Sequence, residues 1–199
     1  MTPQTYIIIG RSGAGKGTQS DLLQEYIKEQ DSNADILYVE SGDEFREFLK
    51  RDTYASTLAQ NINIEGKLQP AFLAIWVWAK SLIENLDDKK FLIIDGTPRK
   101  INEAHVLDEA FSFYGRKNTN VIFINVSDKW AGDRLKERKR SDDTAEGIEK
   151  RLNWFDEETM PAVEFYKNNS QYNFLEINGE QTVEEVHNEI VKNLENKNG

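Results

Sequence analysis

Glycine and lysine residues near the start of the chain have the spacing of a loop that binds phosphate groups. Gly10 is followed after four residues by Gly15 and Lys16, between an apolar run at 6–9 and a helical pattern at 18–30. Glycines let several backbone N–H groups point at one anion, and a lysine adds a mobile positive charge for the outer phosphates. We therefore expect residues 10–18 to bind a nucleoside triphosphate at the N-terminus of a helix.

One position departs from the strict pattern of such loops. A serine or threonine whose hydroxyl binds magnesium usually follows the lysine directly, but this chain has Gly17 there and Thr18 one residue later. The alternative interpretation is a plain glycine-rich turn before a helix. The order of strand, loop and helix favours the phosphate site over that alternative.

An acidic residue and an arginine follow the apolar run at 91–94. The carboxylate of Asp95 ends this predicted buried strand, where it can hold magnesium through water beside the phosphate loop. The chain continues with Gly96 and, after Pro98, Arg99, whose guanidinium suits an anionic substrate. The alternatives are a turn carboxylate and a surface arginine.

Further arginines lie in two other segments. Arg46 comes shortly after Ser41 and Asp43, either of which is a candidate helix cap, and a surface position is the usual one for an arginine. A second group stands out in an acidic chain: Arg134, Arg138, Arg140 and Arg151. Such runs are by default solvated helix faces, but phosphoryl transfer needs several cations around the oxygens that gain charge.

The elements that must position these residues alternate between strands and helices. Strands are predicted at 6–9, 36–39, 91–94, 121–126 and 172–177, of which the last alternates like an edge strand. Helices are predicted at 18–30, 70–86, 101–113, 128–138, 144–168 and 182–195. This order predicts a doubly wound α/β domain with a parallel sheet and helices on both faces.

Two segments interrupt the alternation. Residues 41–69 have the pattern of short helices, and residues 138–143 are cationic and then acidic. We expect both to be insertions at the carboxyl edge of the sheet, where open α/β folds bind their ligands.

Composition restricts the class of protein further. The chain has 199 residues, a net charge of −10 and no cysteine. That length fits one domain, and the charge argues against nonspecific binding to nucleic acid or anionic membranes. Without cysteine there is neither a disulfide nor a thiolate metal site. A strand within a few residues of the start and the lack of a long apolar run lead us to expect a cytoplasmic protein.

These motifs resemble those of the adenylate kinase family of nucleoside monophosphate kinases. The segments GRSGAGKGTQ, SGDEFRE, GKLQP, DGTPRK and RLKERKRSDD occur in the family's order and span nearly the whole chain. The family's loop reads G-x-P-G-A-G-K-G-T, so Gly17 before Thr18 agrees with its usual form. The resemblance implies a five-stranded parallel sheet of order 2-3-1-4-5, a helical monophosphate-binding insertion at about 41–69 and a minimal lid near 138–143.

The resemblance also implies a role for each matched residue. Lys16 would bridge toward the transferred group, Thr18 and Asp95 would lie on the magnesium side, and the backbone of residues 178–181 would line the ATP base. The implied ATP-binding residues are Gly10, Ser12, Gly13, Ala14, Gly15, Lys16, Gly17, Thr18, Arg134 (on the base), Arg138 and Gln181. The implied monophosphate-binding residues are Ser41, Gly42, Arg46, Lys67, Leu68, Gln69, Gly96, Arg99, Glu103, Arg140 and Arg151. The implied catalytic residues are Lys16, Arg99, Arg138, Arg140 and Arg151.

Three departures from the family pattern bear on the substrate. The lid is very short and has no cysteine or other metal-ligand set, which excludes a zinc-bearing lid. Thr97 stands where the family commonly has an aromatic residue, and Glu103 where it has an adenine-reading glutamine. An ionised carboxylate only accepts hydrogen bonds, so Glu103 would suit the donor edge of guanine better than adenine, or it points into solvent and reads nothing.

The activity implied by the resemblance is magnesium-dependent transfer of the ATP γ-phosphoryl group to a nucleoside monophosphate. AMP is the expected acceptor, and GMP, UMP or CMP is the alternative that Glu103 raises. An alternative of another class is a nucleotide-binding regulatory module that has lost transfer, although a pure binder needs no arginines for a transition state. We expect a monomer whose partners are small nucleotides.

Overall fold

The computed structural model describes residues 2–117, 119–138 and 144–198. The predicted lid at 138–143 falls almost entirely outside these residues, and so does Arg140. Arg138 is the last described residue before that gap.

Five parallel strands form one sheet, as the alternating pattern predicts. Their bounds are β1 (Thr5–Gly10), β2 (Ile36–Glu40), β3 (Phe91–Asp95), β4 (Thr119–Asn125) and β5 (Tyr172–Asn178). The order across the sheet is β2-β3-β1-β4-β5, which confirms the implied order 2-3-1-4-5. In the register of the ladder, Asp95 at the end of β3 lies opposite Ile8 of β1 and Glu40 of β2.

The helices agree with the predicted ones except in one segment. Their bounds are α1 (Lys16–Gln30), α2 (Ser41–Leu49), α3 (Tyr54–Ile64), α4 (Ala71–Asn85), α5 (Ile101–Phe113), α6 (Asp128–Arg138), α7 (Ala145–Trp154), α8 (Met160–Lys167) and α9 (Val183–Asn198). The single helix predicted at 144–168 is instead α7, a π-helical turn (Phe155–Thr159) and α8. Pro161, at the start of α8, lacks the N–H that an unbroken α-helix would need there.

The side chains of the central strands alternate between two apolar layers. Ile8 and Ile93 pack on the side of α1 and α9, while Ile7 and Leu92 pack on the side of α4, α5 and α8. Strands covered on both faces read as continuous apolar runs, which is why β1 and β3 were visible in the sequence. A third, small cluster around Phe48 joins α2, α3 and α4.

Residues 41–69 hold α2 and α3 and contain no strand, which agrees with the predicted short helices. Across the described residues, no helix combines the length and apolarity required to cross a bilayer.

Candidate active site

The loop between β1 and α1 has the backbone geometry of an anion cradle. Gly13 and Gly15 adopt left-handed φ values of 90° and 87°, which favour glycine over other residues. A Cβ atom on Gly13 would also lie 2.6 Å from the carbonyl oxygen of Ala131. Conformation and close packing therefore both require glycine at position 13.

Lys16 is the first residue of α1 and its ammonium group rests on the loop itself. Its Nζ atom donates to the carbonyl oxygens of Gly10 and Arg11, each at 3.0 Å. Burial lowers the pKa of Lys16 to about 8; the charge of Asp95 opposes this shift, and the charges of Arg99 and Arg138 add to it. The ammonium therefore lies among the other charged side chains of the site.

Asp95 lies beside the first turn of α1, as the prediction of a carboxylate next to the phosphate loop requires. Its Oδ2 atom accepts hydrogen bonds from Ser20 Oγ at 3.3 Å and from Tyr38 OH at 3.2 Å. A Cβ atom on Gly17 would lie 3.8 Å from the same oxygen. Burial, and next the charge of Asp95, raises the pKa of Tyr38, so the phenol keeps its proton and remains a donor.

Three hydrogen bonds fix Arg99 after the end of β3. Its Nε atom donates to the carbonyl oxygen of Gly96 at 2.9 Å, and its backbone N–H donates to Glu103 Oε2 at 3.3 Å. Its carbonyl oxygen accepts from Thr159 Oγ1 at 2.9 Å. Burial lowers the pKa of Arg99, and the charges of Glu103 and Asp95 oppose that shift.

The start of α2 brings a second guanidinium toward Arg99. A Cβ atom on Gly42 would lie 3.3 Å from Arg46 Nη1 and 3.8 Å from Arg99 Nη2. Arg46 also pairs with Asp43 and, at 3.2 Å, with Glu40. Two cations that converge on one stretch of backbone suit a doubly charged phosphate group.

The two cap candidates of this helix are not its cap. The residue preceding α2 is Glu40, and Ser41 is already helical. The Ser41 hydroxyl donates instead to the carbonyl oxygen of Asp95 at 3.2 Å, and Asp43 pairs with Arg46. The capping interpretation is therefore wrong: Ser41 binds a carbonyl oxygen of the neighbouring strand, and Asp43 pairs with an arginine one turn later on the same helix.

One crevice is lined by residues of the loop at 10–18 and by residues that follow β3. Lys16 and Arg99 both line it. The other lining residues are Ile9, Gly10, Ser12, Gly96, Pro98, Trp154, Phe155 and Thr159. The crevice thus brings the lysine of the glycine-rich loop and the arginine that follows β3 into one site.

Two of the predicted arginines lie at the edge of this group. Arg138 ends α6, and its charge lowers the pKa of Lys16. Arg151 lies in α7, where its Nε atom donates to the carbonyl oxygen of Gly147 at 3.1 Å, and its charge lowers the pKa of Arg99. Both therefore add positive potential to the crevice.

Other predicted residues have partners outside the crevice. Arg134 is exposed, with Cζ 5.1 Å from the centre of the Trp130 ring, and the amide nitrogen of Gln181 donates to Asn178 and Glu189. Lys67 is exposed and pairs with Glu65 at 2.7 Å. Gln69 donates to the carbonyl oxygen of Ala59 at 3.0 Å, and Leu68 is half-buried.

The loop at 178–181 is packed tightly on the end of β4. A Cβ atom on Gly179 would lie 2.5 Å from Val126 Cγ1 and 2.6 Å from Ile124 Cγ2. The Glu180 carboxylate accepts from the Ser127 backbone N–H at 2.6 Å. The loop is therefore held in place at the carboxyl edge of the sheet.

Sequence reasoning missed Tyr38, Glu40 and Thr159, which all contact predicted site residues. It included Arg11 in the loop at 10–18 but missed the partners of its side chain. For Tyr38 and Glu40 a signal was available, since both are polar residues at the carboxyl end of a strand. For Arg11 and Thr159 there was none, because their partners lie far away along the chain.

Comparisons with known proteins agree with this geometry. The model of the adenylate kinase family matches residues 8–171. Adenylate kinase 1 of Nostoc sp. is 33% identical over 188 residues, which cover 94% of this chain and 97% of the relative. The adenylate kinase of Flavobacterium psychrophilum is 30% identical over 196 residues, which cover 94% of this chain and 98% of the relative. The family match includes the glycine-rich loop at 10–18, the segment 96–99 after β3 and the turn at 155–159.

Proposed function

The chain belongs to the adenylate kinase family, and on that premise we propose that its crevice transfers the γ-phosphoryl group of ATP to AMP, giving two molecules of ADP. The protein is a nucleoside monophosphate kinase. The observation that supports a two-nucleotide site best is that Lys16 and Arg99 line the same crevice.

ATP binds in the proposed donor half. Backbone N–H groups of residues 10–18 surround its phosphates, and Lys16 leaves the carbonyl oxygens of Gly10 and Arg11 to contact the outer ones. Arg134 and the loop at 178–181 are proposed to hold the base.

AMP binds in the proposed acceptor half. Its phosphate lies between Arg46 and Arg99, near the backbone of Gly42. Ser41 and Gly96 help to place these groups, because a Cβ atom on Gly96 would lie 3.2 Å from Ser41 Oγ. Residues 67–69 are proposed to contact the rest of the nucleotide.

The transfer itself needs positioning and charge stabilisation rather than a side-chain base. An oxygen of the AMP phosphate attacks the γ-phosphorus in line, and the bond from that phosphorus to the oxygen bridging to the β-phosphate breaks. Lys16, Arg99, Arg138 and Arg151 stabilise the charge that moves onto these oxygens. Arg140 belongs to the same proposal, but it lies outside the described residues.

Magnesium is proposed to act with ATP, and the donor set near the loop suits it. Mg²⁺ keeps several waters and binds mainly to phosphate oxygens, so it needs few protein ligands. The Asp95 carboxylate and the Thr18 hydroxyl are hard oxygen donors of the required kind. Among the described residues, no group of three or more His, Cys, Asp or Glu side chains is arranged to hold a metal ion. When bound, the ion neutralises charge on the phosphates.

AMP is favoured over GMP, UMP and CMP by the names of the relatives. Glu103 is buried, and its Oε2 atom accepts from the Arg99 N–H, so one of its two carboxylate oxygens has a structural partner. The remaining proposals are a single domain with an acceptor-binding insertion at 41–69 and a lid at 138–143, a monomer, a cytoplasmic location and no nucleic-acid partner.

The test is to incubate the purified protein with magnesium, ATP and each monophosphate separately, and to quantify diphosphates by chromatography. The proposal expects ADP as the only product with AMP and much slower turnover with the other acceptors. Faster turnover with GMP, UMP or CMP would assign another acceptor. No diphosphate from any of them would indicate a binding module without transfer.

A further inference from the structure

The π-helical turn Phe155–Thr159 forms one wall of the crevice that contains Lys16 and Arg99. Phe155 and Thr159 both line this crevice, and both are buried. A backbone hydrogen bond from Met160 N–H to the carbonyl oxygen of Phe155 closes the wide turn. Turns of this kind are rare in proteins, and those that occur often lie at functional sites. The contacts of this turn are therefore candidates for a functional role.

The first part of the turn holds the phosphate-binding loop through Arg11. The guanidinium of Arg11 pairs with Asp156 of the turn and, at 2.7 Å, with Asp128 at the start of α6. Its Cζ atom also lies 4.6 Å from the centre of the Phe155 ring. The Arg11 side chain is only 13% exposed, whereas the side chains of Asp128 and Asp156 are 54% and 48% exposed, so the two ion pairs are shielded from water on the arginine side only.

The contacts that hold Arg11 also affect the position of Lys16. The carbonyl oxygen of Arg11 accepts one of the two hydrogen bonds from Lys16 Nζ. Arg11 therefore contacts the turn through its side chain and accepts the hydrogen bond from Lys16 through its backbone carbonyl. A shift of Arg11 would shift the starting position of the lysine.

The last part of the turn contacts the segment after β3 that contains Arg99 and Lys100. Thr159 Oγ1 donates to the carbonyl oxygen of Arg99 at 2.9 Å, and Glu158 lies 4.0 Å from Lys100 Nζ. The Thr159 side chain is 3% exposed. Because Thr159 is buried, loss of its hydroxyl would leave the Arg99 carbonyl without a protein donor at that position.

We propose that the π-helical turn sets the spacing between the loop at 10–18 and the segment that follows β3. In this proposal Arg11 is the positioning residue for Lys16, and Thr159 is the positioning residue for Arg99. This inference rests on the proposed function, since it concerns the same transfer. Small displacements matter here, because misplacing reacting groups by about 1 Å can slow a reaction about a hundredfold.

The acceptor side is tested with Thr159→Val, which keeps the shape and removes the hydroxyl, and with Thr159→Ser, which keeps the hydroxyl. Turnover, the KM values for ATP and AMP, and the urea midpoint of unfolding are measured for each. We expect Thr159→Val to lower kcat about tenfold and raise the KM for AMP, with the KM for ATP within about twofold of wild type. Thr159→Ser should recover most of the lost turnover.

The donor side is tested with Asp156→Asn, and Glu157→Gln is the matched control because it neutralises an exposed carboxylate of the same turn. We expect Asp156→Asn to raise the KM for ATP about fivefold while leaving the KM for AMP unchanged, and the control to behave like wild type. This split between substrates is the readout that a purely structural role would not produce.

The inference is overturned if Thr159→Val and Asp156→Asn keep wild-type kinetic constants. It is also overturned if both substrates are affected equally and only as far as the protein unfolds. A wild-type protein that makes no diphosphate would instead contradict the proposed function, and the two failures are thus distinguishable.

Discussion

The hydroxyl of Tyr38 lies 3.2 Å from Oδ2 of Asp95, on the neighbouring strand of the sheet. Ser20 Oγ lies 3.3 Å from the same oxygen. Two donors from different elements therefore orient one carboxylate, and the orientation does not depend on a bound nucleotide.

Replacing Asp95 tests whether that carboxylate acts in catalysis. We expect Asp95→Asn to lower kcat about a hundredfold, because it removes the negative charge proposed to hold magnesium through water. Tyr38→Phe removes only an orienting donor and should cost no more than about threefold. Initial rates measured against magnesium concentration check both. Near-normal rates for Asp95→Asn would contradict the proposed magnesium role.

The lowered pKa of Lys16 predicts a pH dependence of ATP capture. Since this pKa is about 8 in the free protein, kcat/KM for ATP should fall as the pH rises above about 8. Lys16→Arg should be slower but should lose this alkaline limb, because a guanidinium stays protonated. A wild-type profile that is flat to pH 10 would show that Lys16 does not titrate in this range.

The same shift has a consequence for stability. Between pH 8 and 10.5 the unfolded chain binds more protons at Lys16 than the folded chain does, so this residue makes the free energy of unfolding rise with pH. Lys16→Met should remove that slope and stabilise the protein at pH 7 by roughly 1 kcal/mol. Urea unfolding at pH 7 and pH 10 measures both effects, and Lys28→Met, on the exposed side of α1, is the control.

Two glycines of the phosphate loop differ in what they tolerate. Gly13→Ala should destabilise the protein by about 1–3 kcal/mol, since φ is positive and a Cβ atom would lie 2.6 Å from the Ala131 carbonyl oxygen. Gly17→Ala meets its nearest neighbour, Asp95 Oδ2, at an ordinary 3.8 Å and should leave stability unchanged. Denaturant midpoints compare the two variants. Equal losses would contradict the loop geometry.

Glu40 pairs with Arg46 and would compete with the proposed acceptor phosphate for it. Because the carboxylate lies 3.2 Å from Arg46 Nη2, we expect Glu40→Gln to lower the KM for AMP about twofold to fivefold. The assay is run at pH 6.5, since Glu40 also raises the pKa of Lys16 and its loss must not deprotonate the lysine. Glu44→Gln, an exposed neighbour, should change nothing. An increased KM for Glu40→Gln would show that Glu40 helps to bind the acceptor.

Glu103 is tested by restoring an amide. Gln can still accept from the Arg99 N–H, so Glu103→Gln should fold normally and raise the ratio of kcat/KM for AMP over GMP about tenfold. An unchanged ratio would show that Glu103 does not read the base. Glu109→Gln, exposed on the same helix, is the control.

Burial raises the pKa of Glu103, and the Arg99 N–H opposes that shift. The folded chain therefore binds more protons at Glu103 than the unfolded chain does above pH 4.5, and its contribution to stability falls as the pH rises through that window. Unfolding measured from pH 4.5 to 7 should show a weaker decline for Glu103→Gln than for wild type.

The sequence predicted those parts of the site whose signal is local. Glycine spacing identified the loop, and an apolar run ending in Asp95 identified β3, because buried parallel strands read as continuous apolar segments. The family resemblance supplied the strand order. The partners of Tyr38, Ser41 and Thr159 lie more than fifty residues away, so no local pattern contains them.

The two hydrogen bonds that Lys16 Nζ donates to its own loop bear on which anions the loop can bind. Its two hydrogen bonds to carbonyl oxygens must be exchanged when a ligand enters. A triphosphate offers oxygens to the lysine and to several N–H groups at once, whereas sulfate or inorganic phosphate offers too few to offset the same exchange. We therefore expect small anions that share the solution with nucleotides to be weak competitors, and the loop to discriminate by the length of the phosphate chain.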